Sequence, residues 1–446
     1  MPAVDPQAAG ADGLTARWRR KQAALQSRLM KAIILSVGDE LILGQTVDTN
    51  SAWLSQQLAA IGVSILAHAT VADDQASIEA AIHEGAQRAD TILISGGIGP
   101  TEDDLTRQAL ASVMGVGLEL NETWLAKLDA FFSKVGRPMP PTNRIQAMIP
   151  RGAEMIDNTA GTAAGIRAVL SGGCRVFVMP GVPKEMKIMF ERSIRPELAR
   201  ESGGGVILST TLHTFGLGES SVAEKLGELM RRDRNPSVGT TVSGGIVSLR
   251  VNARSGSREI AQRELDETTT ACKAALGELI FGADDQPLAM VVGEMLKQSR
   301  KTVTTAESCT GGLLAKYLTD ISGSSEYFRQ GWITYANEAK VSLIGVDESL
   351  LAKHGAVSEE VARAMAAGAR ARAGADFALA VTGIAGPTGG TEAKPVGTVF
   401  IALADATGVS ARRNVFIGDR EMIRDRSAKM ALTLLRFRLI GEQPPF

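Results

Sequence analysis

The segment Thr91-Ile92-Leu93-Ile94-Ser95 is too short for a helix and too apolar for a half-exposed strand. It runs without a spacer into Gly96-Gly97-Ile98-Gly99-Pro100-Thr101. Such a strand needs cover on both faces, which places it inside a parallel sheet flanked by helices. The surrounding pattern agrees. KAIILSV (31–37) reads as a first strand, Asp48-Thr49-Asn50 as the cap of a helix to about Ala60, and VSILAHATV as the next strand. QASIEAAIHEGAQRA then supplies a helix, and RVFVMP (175–180) leads to another from about Pro183 to Arg200. The expectation is an α/β fold, doubly wound in this first part.

At 446 residues the chain has room for about three domains. A flexible break at Ser202-Gly203-Gly204-Gly205 marks the first boundary, giving domains at 30–203, 204–283 and 284–446. The middle stretch reads as strand, helix, two strands around Gly244-Gly245, and a long helix, a small α+β unit suited to spacing or dimerisation. The last stretch is again α/β. Residues 1–29 are Ala/Gly/Pro-rich, then basic in TARWRRKQAALQSRL; a disordered extension is expected, with Met30 as the natural beginning.

Several functions are disfavoured. The net charge of −1 excludes a globally basic nucleic-acid binder, and 4% aromatic residues cannot build many stacking platforms. Cys174, Cys272 and Cys309 form no CxxC pair, and His68, His83, His213 and His354 form no HxxH, so zinc chemistry has no ligand set. No apolar run reaches about 18 residues, and MPAVDPQAAGADG lacks the features of a secretory signal. A cytoplasmic location follows as an expectation.

Two loops carry the chemistry. Gly96, Gly97 and Gly99 let backbone amides approach an anion, most simply a phosphate, at the start of the following helix. Asp103 and Asp104 either complement that helix dipole or hold Mg²⁺ beside the phosphate. Gly38-Asp39-Glu40, at the carboxyl end of the first strand, is expected to meet them. In the last domain KTVTTA (301–306) leads into Glu307-Ser308-Cys309-Thr310-Gly311-Gly312. Ser308 is a nucleophile with an oxyanion site near Gly311 and Gly312, or Ser308 or Thr310 merely caps the helix. Lys340, five residues after Tyr335, could act as a base if burial lowers its pKa; Cys309 is a rival nucleophile. A second glycine-rich loop follows Thr382, and Arg420 opens the last helix with Arg424 one turn on.

ILSVGDELILGQTVDTNSAWL, GGIGPTEDDLT and MPGVPKEM resemble, in order and spacing, the molybdopterin-binding-like domain of the CinA family (competence/damage-inducible protein A) over Met30 to about Arg200. The resemblance implies cleavage of ADP-ribose to AMP and ribose 5-phosphate. Gly96, Gly97, Gly99 and Thr101 would form the phosphate loop, and Asp103 and Asp104 would hold a divalent Mg, Mn or Co ion. Where the family loop reads GGLGPT, this chain has Ile98. AESCTGG, GSSEYF, TYANEAK, VTGIAGPTGG, KPVGTV and GDREMIR look like the nicotinamide-nucleotide amidohydrolase domain of the same family over about 285 to 440. That domain converts nicotinamide mononucleotide (NMN) to nicotinate mononucleotide and ammonia without a cofactor. Ser308 would be its nucleophile, with Lys340 and Tyr335 as base and proton relay. Ser325 and Thr382 would support them, and Gly311, Gly312, Gly383 and Arg420 would bind substrate. The middle unit resembles the family's KH-like linker. The implied protein is a bifunctional pyridine-nucleotide salvage enzyme, a homodimer acting on small nucleotides, with no membrane or nucleic-acid partner. Two alternatives are a first domain that binds a nucleotide or pterin without turnover, and a competence or DNA-damage accessory factor.

Overall fold

The computed structural model describes residues 30–202 and 205–446. The expected extension 1–29 and the centre of the glycine-rich boundary lie outside the described residues. The chain divides into two compact units, one extending to Leu208 and including Ala253–Glu264, the other comprising Ser209–Asn252 and Leu265–Phe446.

The first unit contains β1 (Lys31–Val37), α1 (Thr49–Ala60), β2 (Ser64–Val71), α2 (Gln75–Arg88), β3 (Thr91–Ser95) and α3 (Thr106–Met114). It continues with β4 (Glu154–Ile156), β5 (Gly165–Val169), β6 (Arg175–Met179) and α4 (Pro183–Met189). The sheet order is β2-β1-β3-β6-β5-β4. Alternate residues of β3 enter opposite cores: Ile92 and Ile94 join Ile78, Ile82 and Leu110, whereas Leu93 joins Leu54, Leu58 and Phe190. All three strand residues are fully buried, each burial stabilising the fold by roughly 1.5–3 kcal/mol. Helices therefore cover both faces, as the apolar run demands.

The sheet is doubly wound as expected, but it is not parallel throughout. β1, β2, β3 and β6 are parallel, but β5 runs antiparallel to β6, and β4 antiparallel to β5. β5 and β6 are joined by Leu170–Cys174, where Gly173 N donates to Leu170 O and Leu170 N to Cys174 O. A connection that short cannot hold the crossover a parallel pair requires.

The second unit holds two sheets. The KH-like one combines β7 (Val206–Phe215), β8 (Ser237–Ser243), β9 (Ile246–Ser255) and β10 (Ile280–Ala283), in the order β8-β9-β7-β10, the first residues of β7 and the last of β9 being assigned to the other unit. The other contains β11 (Val303–Glu307), α5 (Leu313–Thr319), β12 (Phe328–Ile333), α6 (Asn337–Ile344), β13 (Phe377–Gly383), β14 (Thr398–Asp405), β15 (Gly408–Val415) and α7 (Arg420–Ile440). Its order is β12-β11-β13-β14-β15, with β11, β12 and β13 parallel and the last two strands antiparallel. Lys429 on α7 donates to Gly244 O at the β8–β9 turn (2.9 Å), tying the KH-like sheet to that helix. Among the described residues no helix is long and apolar enough to cross a membrane.

Asp48 caps α1, accepting from Ser51 N (2.9 Å) and Ser36 Oγ (2.7 Å). Burial disfavours its charge, but these hydrogen bonds outweigh that and hold the carboxyl below its usual 3.8. Asp48→Ala should destabilise the first unit by about 1–2 kcal/mol at neutral pH. Because the folded-state pKa is depressed, the difference from wild type should shrink as pH falls from the ordinary 3.8 down through the folded-state value, measured by urea unfolding across the acid range.

Candidate functional site

The first unit carries a cleft of about 450 Å³ at the carboxyl edge of β1, β3 and β6. It is bounded by the Gly96–Gly99 loop, Gly38 and Glu40, Asp73, and Pro180–Val182. Thr106, the first residue of α3, organises the loop. Its hydroxyl donates to Gly96 O and its amide to Gly97 O, both at 3.0 Å. A trans peptide points its N–H opposite its C=O, so pulling those carbonyls inward turns the Gly97 and Ile98 amides outward. Neither amide donates to another group among the described residues, and both residues line the cleft.

The other two glycines of the expected phosphate loop have different roles. Gly96 N donates to Met179 O, and a β-carbon at Gly96 (φ 112°) would collide with Val37 O. Gly99 N donates to Asp104 Oδ1 at 2.7 Å. Asp104 also accepts from the amide of Thr101 at 2.9 Å and from its hydroxyl. Asp104 and Thr101 thus brace the loop from inside, while Asp104 also lines the cleft. Arg107, almost fully buried, donates to Ile98 O (2.8 Å), and burial pushes its guanidinium down to about 10.

Asp103, by contrast, is exposed on the cleft rim. Asp73, which the sequence reading overlooked, faces it: its amide and carboxylate exchange hydrogen bonds with Asp39 (3.2 and 2.9 Å). Burial first, then the charges of Asp39, Asp103 and Glu40, raises the Asp73 carboxyl above its ordinary value. The clue to Asp73 was its place at the carboxyl end of β2, the same edge as Gly38. No three His, Cys, Asp or Glu side chains converge as a metal cage among the described residues. Yet the cleft is lined by Glu40, Asp73, Asp103, Asp104 and Glu185, with no Lys, Arg or His. An anionic phosphate would be repelled there unless a cation came with it. This donor set suits a divalent ion that completes its shell with ligand phosphate oxygens.

In the second unit Ser308 follows directly on β11, its amide held by Val381 O (2.9 Å). Lys340 on α6 is 1% exposed. Its Nζ lies 3.3 Å from Ser308 Oγ, 2.8 Å from Thr334 O and 3.2 Å from Tyr335 O. Burial lowers the Lys340 pKa. A neutral amine has two N–H donors and one lone pair; with both carbonyls as acceptors, the lone pair is left for the Ser308 proton. Cys309 is 6% exposed and its thiol is pushed up to about 12 by burial, which removes it as a rival nucleophile.

Neither Ser308 nor Thr310 caps α5. Glu307, fully buried, takes that role, accepting from the amides of Gly312 (3.0 Å), Leu314 (3.1 Å) and Ala315 (2.8 Å). Gly311 N donates to Ser308 O. The Gly311 and Gly312 amides are therefore occupied, so an oxyanion site near them would have to use other amides of the turn. The amides of Cys309 and Thr310 have no acceptor among the described residues. Arg424 holds the outer side of the turn, donating to Thr310 O at 2.7 and 3.3 Å. Glu307 escaped the sequence reading, although a carboxylate ending an apolar strand just before Gly-Gly signals a buried cap.

The remaining candidates divide. Tyr335 reaches Lys340 through its carbonyl, while its hydroxyl accepts from Arg420 (3.0 Å), so it is not placed as a proton relay to Lys340. Arg420 also donates to Gly386 O (2.8 Å) and joins the glycine-rich loop to the Tyr335 rim. Thr382 is buried and its hydroxyl donates to Ala356 O (2.7 Å), an anchoring role. Gly383 lets β13 and β14 approach, since a β-carbon there would press on Val399 and Thr398 O. Ser325 precedes β12, whose Phe328 pairs with Val303 and whose Ile333 pairs with Glu307. It therefore sits at the amino edge, about 17 Å of strand from the Ser308 end of the same chain.

An α/β protein with a serine–lysine pair on one carboxyl edge and an acidic, glycine-lined cleft on another is what the two units define. Family models match consecutively: "Probable molybdopterin binding domain" over residues 33–200, "Damage-inducible protein CinA KH domain" over 209–282, and "CinA C-terminal domain" over 285–439. The chain is 44% identical over 412 residues to a CinA-like protein of Geobacter sulfurreducens, covering 92% of this chain and all of that one. It is 43% identical over 421 residues to a CinA-like protein of Frankia casuarinae, covering 92% and 97%. A crystal structure of a competence/damage inducible protein from Agrobacterium tumefaciens is 42% identical, covering 34% of this chain and 93% of that one, with a TM-score of 0.33. The chain belongs to the CinA family.

The two aspartates should separate experimentally. Asp104→Ala removes the acceptor of three hydrogen bonds and should lower both the stability of the first unit, by about 2 kcal/mol or more, and its ligand affinity. Asp103→Asn should leave the unfolding midpoint within about 0.5 kcal/mol of wild type while weakening metal-dependent ligand binding, followed by calorimetry.

Proposed function

We propose that the second unit hydrolyses the carboxamide of nicotinamide mononucleotide. The observation that carries this reading is Lys340: buried, its Nζ engaged with two carbonyls and within reach of Ser308 Oγ. Lys340 takes the Ser308 proton as Oγ bonds to the amide carbon. The Cys309 and Thr310 amides stabilise the developing oxyanion. Collapse breaks the C–N bond, and the proton on Lys340 passes to the leaving amine, which departs as ammonia. Water, deprotonated by the same lysine, then hydrolyses the ester, releasing the acid and restoring Ser308. Arg420, beside the Gly386 loop, is suited to the substrate phosphate.

For the first unit we propose a metal-dependent ADP-ribose pyrophosphatase. The Gly97 and Ile98 amides would receive a phosphate, and carboxylates of the rim such as Asp103 and Asp73 would supply part of the shell of a divalent ion, the rest coming from ligand phosphate oxygens and water. When bound, the ion would neutralise the phosphate charge that the acidic lining otherwise repels. Asp104 and Thr106 keep the loop amides aimed at the ligand. Binding without turnover is the competing reading, and it rests on the lack of a three-ligand cage. ADP-ribose that binds but stays intact with Mg²⁺, Mn²⁺ and Co²⁺ alike would decide for it.

Ammonia release from NMN should be abolished, by about three orders of magnitude or more, in Ser308→Ala and Lys340→Met; an inactive folded wild type would sink the assignment. Because burial depresses the Lys340 pKa and its neutral form is the base, kcat/KM should rise with pH through an ionisation below 10.5 and then level. A pH profile flat from 6 to 10 would exclude Lys340 as the base.

A further inference from the structure

We infer that Glu307 is a positioning residue for the nucleophile turn, and that it acts by withholding three helix amides from any ligand; this rests on the serine–lysine reading above. The residue is the last of β11, registered between Ile333 of β12 and Val381 of β13, and its side chain is fully buried. Among the described residues no Lys or Arg pairs with it in an ion pair. Its charge is met instead by the amides of Gly312, Leu314 and Ala315. A buried carboxylate held only by N–H groups is a demanding feature for a fold to keep, because losing even one donor leaves it short of partners.

What that feature accomplishes follows from the chain path. Residues 308–312 form one short turn held at several points, Leu313 N on Thr310 O (3.2 Å) and Lys316 N on Gly312 O (2.8 Å) among them. Ser308 N is bound to Val381 O, Ser308 O to Gly311 N, Thr310 O to Arg424, and Gly312 N to Glu307. Only the Cys309 and Thr310 amides remain open. With Glu307 in place, the first turn of α5 cannot bind an anion, since its place is already taken by a protein carboxylate. An oxyanion is therefore directed to the two amides next to Ser308 Oγ. Without Glu307, three buried amides would lose their acceptor, and Gly311 and Gly312, both at positive φ, would leave the turn free to shift.

Glu307→Gln preserves shape and presents one acceptor, but it turns an NH₂ toward backbone donors. We expect kcat for NMN to fall 10- to 100-fold with KM changed less than about threefold. The rate of covalent labelling of Ser308 by a fluorophosphonate should fall in parallel, assayed well below the unfolding midpoint. In Glu307→Ala, added formate should restore part of the labelling rate by occupying the vacated carboxylate position. Should the glutamine variant fail to fold, Ala315→Pro removes the shortest of the three donors within the helix's first turn, where proline is tolerated. It should lower kcat and labelling severalfold. A folded Glu307→Gln or Ala315→Pro with wild-type kcat and labelling would overturn the inference. So would a loss that merely tracks the unfolded fraction. If wild type labels at Ser308 but releases no ammonia from NMN, the substrate reading fails while the labelling comparison still tests Glu307. A wild type that does neither overturns both.

Discussion

A strand buried on both faces can carry polar chemistry only where it ends. β3 and β11 are such strands, and in each the first functional groups appear at the carboxyl edge: Ser95 and the Gly96–Gly99 loop in one, Glu307 and Ser308 in the other. Parallel neighbours bring their own ends to the same edge, so Gly38, Asp73 and Gly181 meet the first loop, and Val381 and Thr334 meet the second turn. The location of both sites thus follows from the requirement to bury Ile92–Ile94 and Val303–Ala306.

Both loops solve one problem in two ways. A bound anion needs free N–H groups, yet a loop with free N–H groups needs other restraints to stay ordered. In the first unit Thr106 seizes two carbonyls, and Asp104 closes the loop through Gly99 and Thr101, leaving Gly97 and Ile98 open. In the second, Glu307 and Arg424 grip opposite ends of the turn, leaving Cys309 and Thr310 open. Carboxylates that resemble ligand-binding groups are in part the clamps that create the binding surface. Electrostatics then separates the two sites: the first is acidic, whereas the second has Arg420 on the Tyr335 hydroxyl and a buried lysine beside Ser308.

Much of this was legible in the residues themselves. The α/β class, the carboxyl-edge location of both sites and the pairing of Ser308 with Lys340 could be read from apolar runs, glycine-rich turns and motif order. Roles within the motifs were harder, because a motif records which residues are near one another, not which atoms face each other. Asp103 and Asp104 are adjacent in sequence, yet one rims the cleft while the other is consumed by Gly99 and Thr101. Tyr335 contacts Lys340 through its backbone and Arg420 through its hydroxyl. Ser325, grouped with the site by resemblance, lies at the opposite edge because β12 runs parallel to β11 and must be entered from its amino end.

Local sequence alone determined the elements and their ends, since period, capping residues and glycines act over a few positions. It also offered no cysteine or histidine spacing suited to zinc, whereas Cys309 stayed a rival nucleophile until its burial was seen. Only the tertiary structure decided which amides remain open, which carboxylate faces solvent and which lysine is buried against a serine 32 positions away. Those outcomes depend on hydrogen-bond partners contributed by distant strands and on desolvation by the packed sheet, and neither is written in any local stretch of the chain.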